Sequence, residues 1–164
     1  MTDEEFTAHF NLKQIQEDQH CSATSRDSIE ALGEVPSEWN WREHSGVSPV
    51  KNQGHCGSCW TFSTVGALEA HTMIKYDGVT DFYAEQQLVD CAQAFDNHGC
   101  EGGLPSHAFE YVKYAGGIST ESAYPYTAKD ETCTVKSDTF ALSVPQGSFN
   151  ITQGDEVSFK NALF

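Results

Sequence analysis

Basic residues are scarce in this sequence of 164 residues. Lysine and arginine number 9 against 24 aspartates and glutamates, so the formal net charge is −15. A chain this acidic repels nucleic acids and anionic lipids, and we expect neither as a partner. No apolar run approaches the roughly 20 residues of a membrane-spanning helix. The opening residues MTDEEFTAHFNLKQ lack a basic region and an apolar core, so we do not expect a signal peptide within them.

Cysteine, by contrast, is plentiful. The chain has 6 cysteines, which points toward an oxidising compartment in which disulfides persist. Asn150 opens the triplet Asn-Ile-Thr, an N-glycosylation sequon that agrees with such a compartment. Two possibilities stay open: the thiols are free in the cytosol, or the natural N-terminus lies upstream and carries a targeting signal.

Periodic apolar residues and turn signals divide the chain into segments. Residues 1–34 are polar and predict a short helical piece followed by a linker. Helices are predicted from Ser58 or Cys59 to a stop at Asp77-Gly78, from about Ala84 to Ala92, and from Pro105 to Gly116-Gly117. The first of these carries Phe62, Val65, Leu68, Thr72 and Tyr76 at helical spacing, with Ser58 as its cap. Residues after Thr120 predict extended structure, and GDEVSFKNALF predicts a terminal amphipathic helix.

The stretch KNQGHCGSCWTFS, residues 51–63, places Cys56 and Cys59 three positions apart. A redox pair requires a strand that runs directly into the two cysteines, whereas the preceding PVKNQGH is typical of a loop. A zinc site would add Cys91 and Cys100, but this second pair is separated by eight residues rather than two to four. Two buried structural cysteines are a further alternative.

A nucleophilic role for Cys59 fits the neighbouring residues. A thiol at a helix N-terminus lies at the positive end of the helix dipole, which favours the thiolate. The side-chain amide of Gln53, six residues earlier, can reach the same place. Together with the backbone N–H of Cys59 it would form an oxyanion hole.

Four stretches of the sequence resemble the papain family of cysteine proteases: PVKNQGHCGSCWTFS, LVDCA, GCEGGLP and YPY. The family signature C-G-[SA]-C-[WY] matches residues 56–60. Within this family the chain is most similar to the cathepsin H and aleurain branch, through the stretches CWTFSTVGALEA and AEQQLVDCAQAFDNHGCEGGLPSHAFEYVKY. The resemblance implies the α+β papain-like fold. A helical lobe would span residues 35–148 and be essentially complete, and a β-rich lobe would only begin at residues 149–164.

The resemblance also implies the roles of individual residues. Cys59 would be the nucleophile and Gln53 the oxyanion-hole side chain. The implied substrate-binding residues are Gly57, Ser58, Gly102, Gly103, Leu104 and Pro105, of which Gly102 and Gly103 would present backbone groups to an extended peptide, while Leu104 and Pro105 would line a side-chain pocket. The implied disulfides are Cys56–Cys100 and Cys91–Cys133, which leave Cys59 free.

No metal or cofactor is implied by this resemblance. The implied partners are peptide or protein substrates and cystatin-type inhibitors, and the implied location is the lysosome, the vacuole or the exterior of the cell. Residues 1–34 would be the end of an inhibitory prosegment. Within them EDQHCSAT, residues 17–24, is similar to the mini-chain of cathepsin H, a retained propeptide piece that confers aminopeptidase specificity. Cys21 would carry its disulfide and Thr24 its terminal carboxylate.

A catalytic base is the missing component. In the papain family the histidine follows the cysteine by about 130 to 150 residues, which lies beyond residue 164. His71 falls within the helix that Cys59 begins, and we expect His98 and His107 to be solvated. We therefore predict a sequence truncated at both ends and inactive alone. The alternatives are an inactive homologue that binds peptides or inhibitors, and a redox or metal-binding protein.

Overall fold

The computed structural model of the chain describes residues 2–9, 33–78, 80–144 and 148–164. The mini-chain-like segment 17–24, with Cys21 and Thr24, lies outside the described residues. In the described ranges the helices are α1 (Asp3–His9), α2 (Cys59–Lys75), α3 (Glu85–Cys91), α4 (Pro105–Ala115) and α5 (Glu156–Leu163), and the strands are β1 (Ile118–Ser119) and β2 (Phe140–Leu142). None of these helices has the length and apolar character needed to cross a membrane.

Helix α2 is the central element of the fold. Of the residues at predicted helical spacing, Val65 and Leu68 are buried, while Phe62 and Thr72 are half-buried. The buried face also includes Trp60, which the predicted spacing did not contain. The helix ends where Asp77 and Gly78 both adopt left-handed backbone angles, φ 54° and 84°. The Gly78 amide donates to the Met73 carbonyl at 2.8 Å, which satisfies one of the carbonyls left open at the helix end. Tyr76, which the periodicity assigned to the buried face, is exposed at this end instead.

Helices α3 and α4 agree with the predicted segments. Helix α4 begins with Pro105 at a position where a missing N–H costs nothing, and it ends at Gly116 in the left-handed conformation. The buried core lies between α2, α3 and α4 and is closed on one side by β1. Its members are Trp60, Val65, Leu68, Tyr83, Leu88, Ala92, Ala108, Tyr111, Val112 and Ile118.

Two disulfides tie this helical region to its loops. Cys56 is joined to Cys100 with a Cα–Cα distance of 4.6 Å, and Cys91 is joined to Cys133 at 5.0 Å. These are the two pairs that the family resemblance implies. Each closes a loop of more than forty residues, so each adds about 4 kcal/mol to the free energy of unfolding in the chain-entropy model.

The C-terminal part differs from the sequence-based expectation. Residues 120–139 form loop segments with a turn and a short 3-10 helix, and the regular extended structure after Thr120 is confined to the three-residue strand β2. Strand β2 pairs antiparallel with β1 through Ile118 and Leu142. Helix α5 forms as predicted but buries none of its residues. Its contact with the N-terminal side of the fold includes a hydrogen bond of 2.7 Å from the Trp41 indole N–H to the Leu163 carbonyl.

Candidate active site

Cys59 is the first residue of helix α2, and its thiol is exposed. Of the cysteines in the described ranges, it is the one outside a disulfide. No described residue accepts a hydrogen bond from its backbone N–H. An exposed thiol and an open amide therefore lie together at the positive end of a 17-residue helix.

Ser58 occupies the N-cap position of α2, but its side chain does not cap the helix. The prediction that it would do so is wrong, because its hydroxyl lies 2.5 Å from the hydroxyl of Tyr126 instead. A hydrogen bond to Tyr126, which is distant in sequence, replaces the expected bond from the Ser58 side chain to the backbone of α2. The backbone N–H groups of the first turn are consequently left without a competing side-chain acceptor from Ser58.

Gln53 is held close to the same turn by its side chain. Its amide nitrogen Nε2 donates to the Cys56 carbonyl at 2.8 Å, and that carbonyl also accepts from the Ser58 N–H at 2.8 Å. A side-chain amide has two N–H donors. One is used to fix the amide, and the other remains to bind a ligand.

The Cys56–Cys100 disulfide brings the loop before α2 against the loop before α4. The Gly57 N–H donates to the Cys100 carbonyl at 2.9 Å beside that disulfide. The pairing of Cys56 with Cys100 overturns the redox-pair alternative, which needed Cys56 and Cys59 to bond to each other. Together with the Cys91–Cys133 disulfide, it also removes three of the four thiolates, Cys56, Cys91 and Cys100, from the zinc alternative.

The two glycines of the second loop, Gly102 and Gly103, each have a structural requirement for glycine, and their predicted role in binding substrate stays a prediction. Gly102 has φ 116°, a conformation that side chains rarely adopt, and its carbonyl accepts from the His98 N–H at 2.8 Å. A Cβ on Gly103 would lie 2.7 Å from the indole ring of Trp60 and would overlap Asn97 Oδ1. Backbone conformation thus accounts for Gly102, and internal packing accounts for Gly103. Only Gly103 keeps backbone polar groups without a partner among the described residues.

Leu104 and Pro105 follow this loop and are half-buried. Leu104 has extended backbone angles, and its N–H donates to the buried Asn97 Oδ1 at 2.9 Å. The loop is further anchored by Trp60, whose indole N–H donates to the Gly99 carbonyl at 3.1 Å. Because Trp60 follows Cys59 directly, the first turn of α2 supports both the thiol and the glycine loop.

The structure places three histidines away from a role beside the thiol. His71 lies twelve positions after Cys59 in α2, which is about 18 Å along the helix axis. His98 is exposed and lies 3.6 Å from Asp96 Oδ1. His107 was expected to be solvated, and this is wrong. It is 7% exposed, and its Nδ1 lies 3.4 Å from the Asp96 carbonyl, because α4 packs this face against the turn at residues 93–96.

A buried charge cluster beneath the site escaped the sequence analysis. Lys51 Nζ lies 2.6 Å from Glu69 Oε1 and 2.7 Å from Glu85 Oε1. Burial alone would lower the pKa of Lys51, but its hydrogen bonds to these two carboxylates raise it above the usual value. Burial raises the pKa of Glu85, and also that of the neighbouring Glu121. The partners are 18 and 34 residues from Lys51, so no local pattern could have indicated them.

The assembled site can supply a nucleophile and two hydrogen-bond donors. The nucleophile is the Cys59 thiol, and the donors are the Cys59 backbone N–H and the second N–H of the Gln53 amide. Such donors stabilise the negative charge that develops on a carbonyl oxygen under nucleophilic attack. The sequon residue Asn150 is half-buried and lies outside this site.

Comparison with known proteins gives concordant matches. The family described as "Papain family cysteine protease" matches residues 35–164. The chain is 53% identical over 146 residues to the thiol protease aleurain of Arabidopsis thaliana, with 88% of the chain and 40% of that protein covered. It is 51% identical over 148 residues to pro-cathepsin H of Mus musculus, with 90% and 44% covered.

Among solved structures, the fold matches digestive procathepsin L 3 from the larval midgut of Tenebrio molitor. The TM-score is 0.82 at 35% identity, and the match covers 99% of this chain and 50% of the other. The chain thus spans about half the length, or somewhat less, of these relatives.

Proposed function

Because this chain belongs to the papain family of cysteine proteases, in its cathepsin H and aleurain-like branch, we propose that it forms the nucleophile-bearing part of a peptidase. Cys59 attacks the carbonyl of a peptide bond and forms a thioester, with release of the amine. Gln53 and the Cys59 N–H stabilise the oxyanion. The observation that carries this proposal is the exposed, unbonded Cys59 thiol at the start of α2, beside the anchored Gln53 amide.

The general base is proposed to come from a histidine outside these 164 residues. The positions of three histidines support this: His71 lies about 18 Å from Cys59 along the axis of α2, and His98 and His107 both lie against Asp96. The thiol proton passes to that histidine, which returns it to the leaving amine. The 164-residue chain by itself should therefore show no measurable hydrolysis of aminoacyl fluorogenic substrates. Robust turnover that Cys59→Ala abolishes would place the base within the chain.

The full-length peptidase provides the direct test of the proposal. Cys59→Ala should abolish hydrolysis of peptide substrates while the denaturant midpoint of unfolding changes little, because the thiol is exposed. Iodoacetamide should inactivate the unmodified enzyme, with one alkylated site at Cys59 in peptide mapping. Undiminished hydrolysis by the Cys59→Ala variant would disprove the assignment. A full-length protein that binds peptides without cleaving them would instead be an inactive homologue.

We further propose an aminopeptidase preference that depends on residues 17–24. After cleavage behind Thr24, the terminal carboxylate would hold the ammonium group of a substrate through a charge-assisted hydrogen bond, roughly twice as strong as a neutral one. Cys21→Ser in the full-length enzyme should release this segment. The ratio of kcat/KM for free to N-blocked substrates should then fall, and an unchanged ratio would assign these residues a linker role only.

We also propose a lysosomal or vacuolar setting, which is in line with relatives named aleurain and pro-cathepsin H. As the family resemblance implies, we propose peptide or protein substrates and cystatin-type inhibitors as partners. Such inhibitors would occupy the cleft between the glycine loop and the Cys59 turn. A binding assay with an immobilised cystatin tests this, and the Cys59→Ala variant should still bind. Loss of inhibitor binding after alkylation of the exposed Cys59 thiol with a bulky reagent would locate the contact at the Cys59 turn.

A further inference from the structure

Tyr126 makes contacts that a general stabilising role does not explain. Its hydroxyl lies 2.7 Å from the backbone carbonyl of Gln53 and 2.5 Å from Ser58 Oγ. Gln53 carries the side-chain donor of the oxyanion hole, and Ser58 directly precedes the residue that carries the backbone donor. One phenolic oxygen, 73 residues away in sequence from Gln53, therefore contacts both parts of the site.

The direction of these hydrogen bonds follows from the groups involved. A carbonyl only accepts, so the Tyr126 O–H donates to Gln53. The phenolic proton is then used, so Ser58 is the donor to Tyr126 at 2.5 Å, a much shorter distance than the 3.5 Å to its other acceptor, the Cys56 carbonyl. Burial raises the pKa of the Tyr126 phenol, so the proton that makes the bond to Gln53 stays in place throughout the acidic and neutral range.

The position of Tyr126 is itself fixed from several sides. Its N–H donates to Glu121 Oε1 at 2.8 Å, and its ring lies edge-on to Phe62 of α2 with centroids 5.0 Å apart. The next residue, Thr127, donates its N–H to the buried side chain of Gln86 on α3 at 2.9 Å. The hydroxyl is thus presented from an anchored segment rather than from a free loop.

We propose that Tyr126 is a positioning residue for the oxyanion hole, which it maintains by holding the Gln53 and Ser58 backbones at a set separation. The inference rests on the proposed function of Cys59 and Gln53. Its physical basis is that two donors stabilise an oxyanion only when both point at the place where the charge develops. A displacement of about 1 Å in such a group can lower the rate by about a hundredfold.

The experiment uses Tyr126→Phe in the full-length peptidase, with Tyr124→Phe as the matched control. Tyr124 belongs to the same YPY stretch, but its hydroxyl donates to Asp90 Oδ2 at 2.9 Å, away from the Cys59 turn. Tyr126→Phe should lower kcat about ten- to a hundredfold and leave KM nearly unchanged. A peptide aldehyde, whose thiol adduct places an oxygen in the oxyanion hole, should bind more weakly by a similar factor. The Tyr124→Phe variant should retain kcat.

Alkylation by iodoacetamide separates oxyanion positioning from an effect on the thiol itself. This reagent forms no oxyanion, so its rate with Cys59 should be the same in the wild-type and Tyr126→Phe proteins. A parallel fall in alkylation and kcat would overturn the inference, as would a rise in KM at constant kcat. Should Tyr126→Phe not fold, Ser58→Ala removes one of the two bonds and should give a smaller loss of kcat with the same pattern.

Failure of this inference is distinguishable from failure of the proposed function. If the wild-type protein shows no hydrolysis dependent on Cys59, the proposed function fails. If the wild-type protein cleaves peptides and the Tyr126→Phe variant matches it in kcat and in aldehyde affinity, only the positioning role fails.

Discussion

Helices α2 and α5 begin in contrasting ways. At the start of α5, Asp155 accepts hydrogen bonds from the Ser158 N–H at 3.0 Å and from the Ser158 hydroxyl at 2.7 Å. At the start of α2, Ser58 occupies the same N-cap position, but its side-chain hydroxyl is hydrogen-bonded to the hydroxyl of Tyr126. Helix α5 is thus begun by its own local sequence and buries no residue, whereas α2 is held in place by tertiary contacts.

This difference shows how a helix terminus can keep its backbone N–H groups open to a ligand. A local cap satisfies the first-turn N–H groups and so removes them from use by a ligand. When distant residues hold the helix, those groups stay open. Helix α2 therefore lacks the stabilisation that a local cap would provide, and the backbone N–H of Cys59 stays open. Buried residues of the first turn, above all Trp60, stabilise the terminus in its place.

The largest effect on stability is expected when the tertiary contacts that hold the start of α2 are removed. Trp60 is 2% exposed and packs against Gly103, so Trp60→Ala should lower the free energy of unfolding by about 3–5 kcal/mol. Trp39→Ala is the control near α5, because Trp39 contacts the ring of Phe164 at the surface, and it should cost about 1 kcal/mol. Denaturant unfolding measures both, and equal losses would show that the two ends are supported alike.

A second substitution tests how closely the glycine loop packs on α2. Gly103→Ala would bring a methyl group into the Trp60 ring and should lower the free energy of unfolding by about 1–3 kcal/mol. Gly66→Ala, in the middle of α2, meets no atom within 4 Å and should raise it by about 0.5–1 kcal/mol. The two variants should move the denaturant midpoint in opposite directions. A shift of the same sign would mean that the loop can move away from the helix.

The two regions should also respond to pH with opposite signs. Burial raises the pKa of Glu85 and Glu121 above the usual 4.5, so their contribution to stability is present below that value and is lost as the pH rises through the folded pKa. The hydrogen bonds from Ser158 lower the pKa of Asp155 below its usual 3.8, so its contribution is present above that value and is lost as the pH falls.

Acidification toward the usual value of 4.5 should therefore stabilise the region around α2. Further acidification below pH 4 should loosen the start of α5. Unfolding curves as a function of pH test the first part, and Glu121→Gln should flatten them. Amide exchange resolved by residue tests the second part. Stability that rises steadily from pH 5 to pH 8, with no effect of Glu121→Gln, would contradict the assignment.

The smallest effect on stability is expected from substitution of the two N-cap residues themselves. Asp155→Ala removes both bonds to Ser158, so amide exchange in the first turn of α5 should become faster while the rest of the protein is unchanged. Ser58→Ala removes no cap bond, and exchange in the first turn of α2 should be unaffected. Faster exchange there in Ser58→Ala would show that the serine caps the helix in solution.

The same contrast explains which features the sequence could predict. Helices α2, α3 and α4 follow from apolar spacing and from Pro105 and Gly116 at their ends, which are local signals. The disulfide pairs followed only from the family resemblance. The Ser58 prediction failed because Tyr126, 68 residues away, outcompetes a local bond. Contacts such as Lys51 with Glu85 depend on the packed fold and leave no pattern in the sequence.

The burial of Cys56 has a consequence for chemical selectivity. A nucleophilic thiolate three positions from a disulfide could attack it and scramble the pairing, since exchange needs only access to a sulfur atom. Cys56 is 0% exposed, whereas Cys59 lies at the surface. Burial thereby shields the Cys56 sulfur from the free thiol three positions away, and any exchange with this disulfide would have to proceed at the sulfur of the half-buried Cys100.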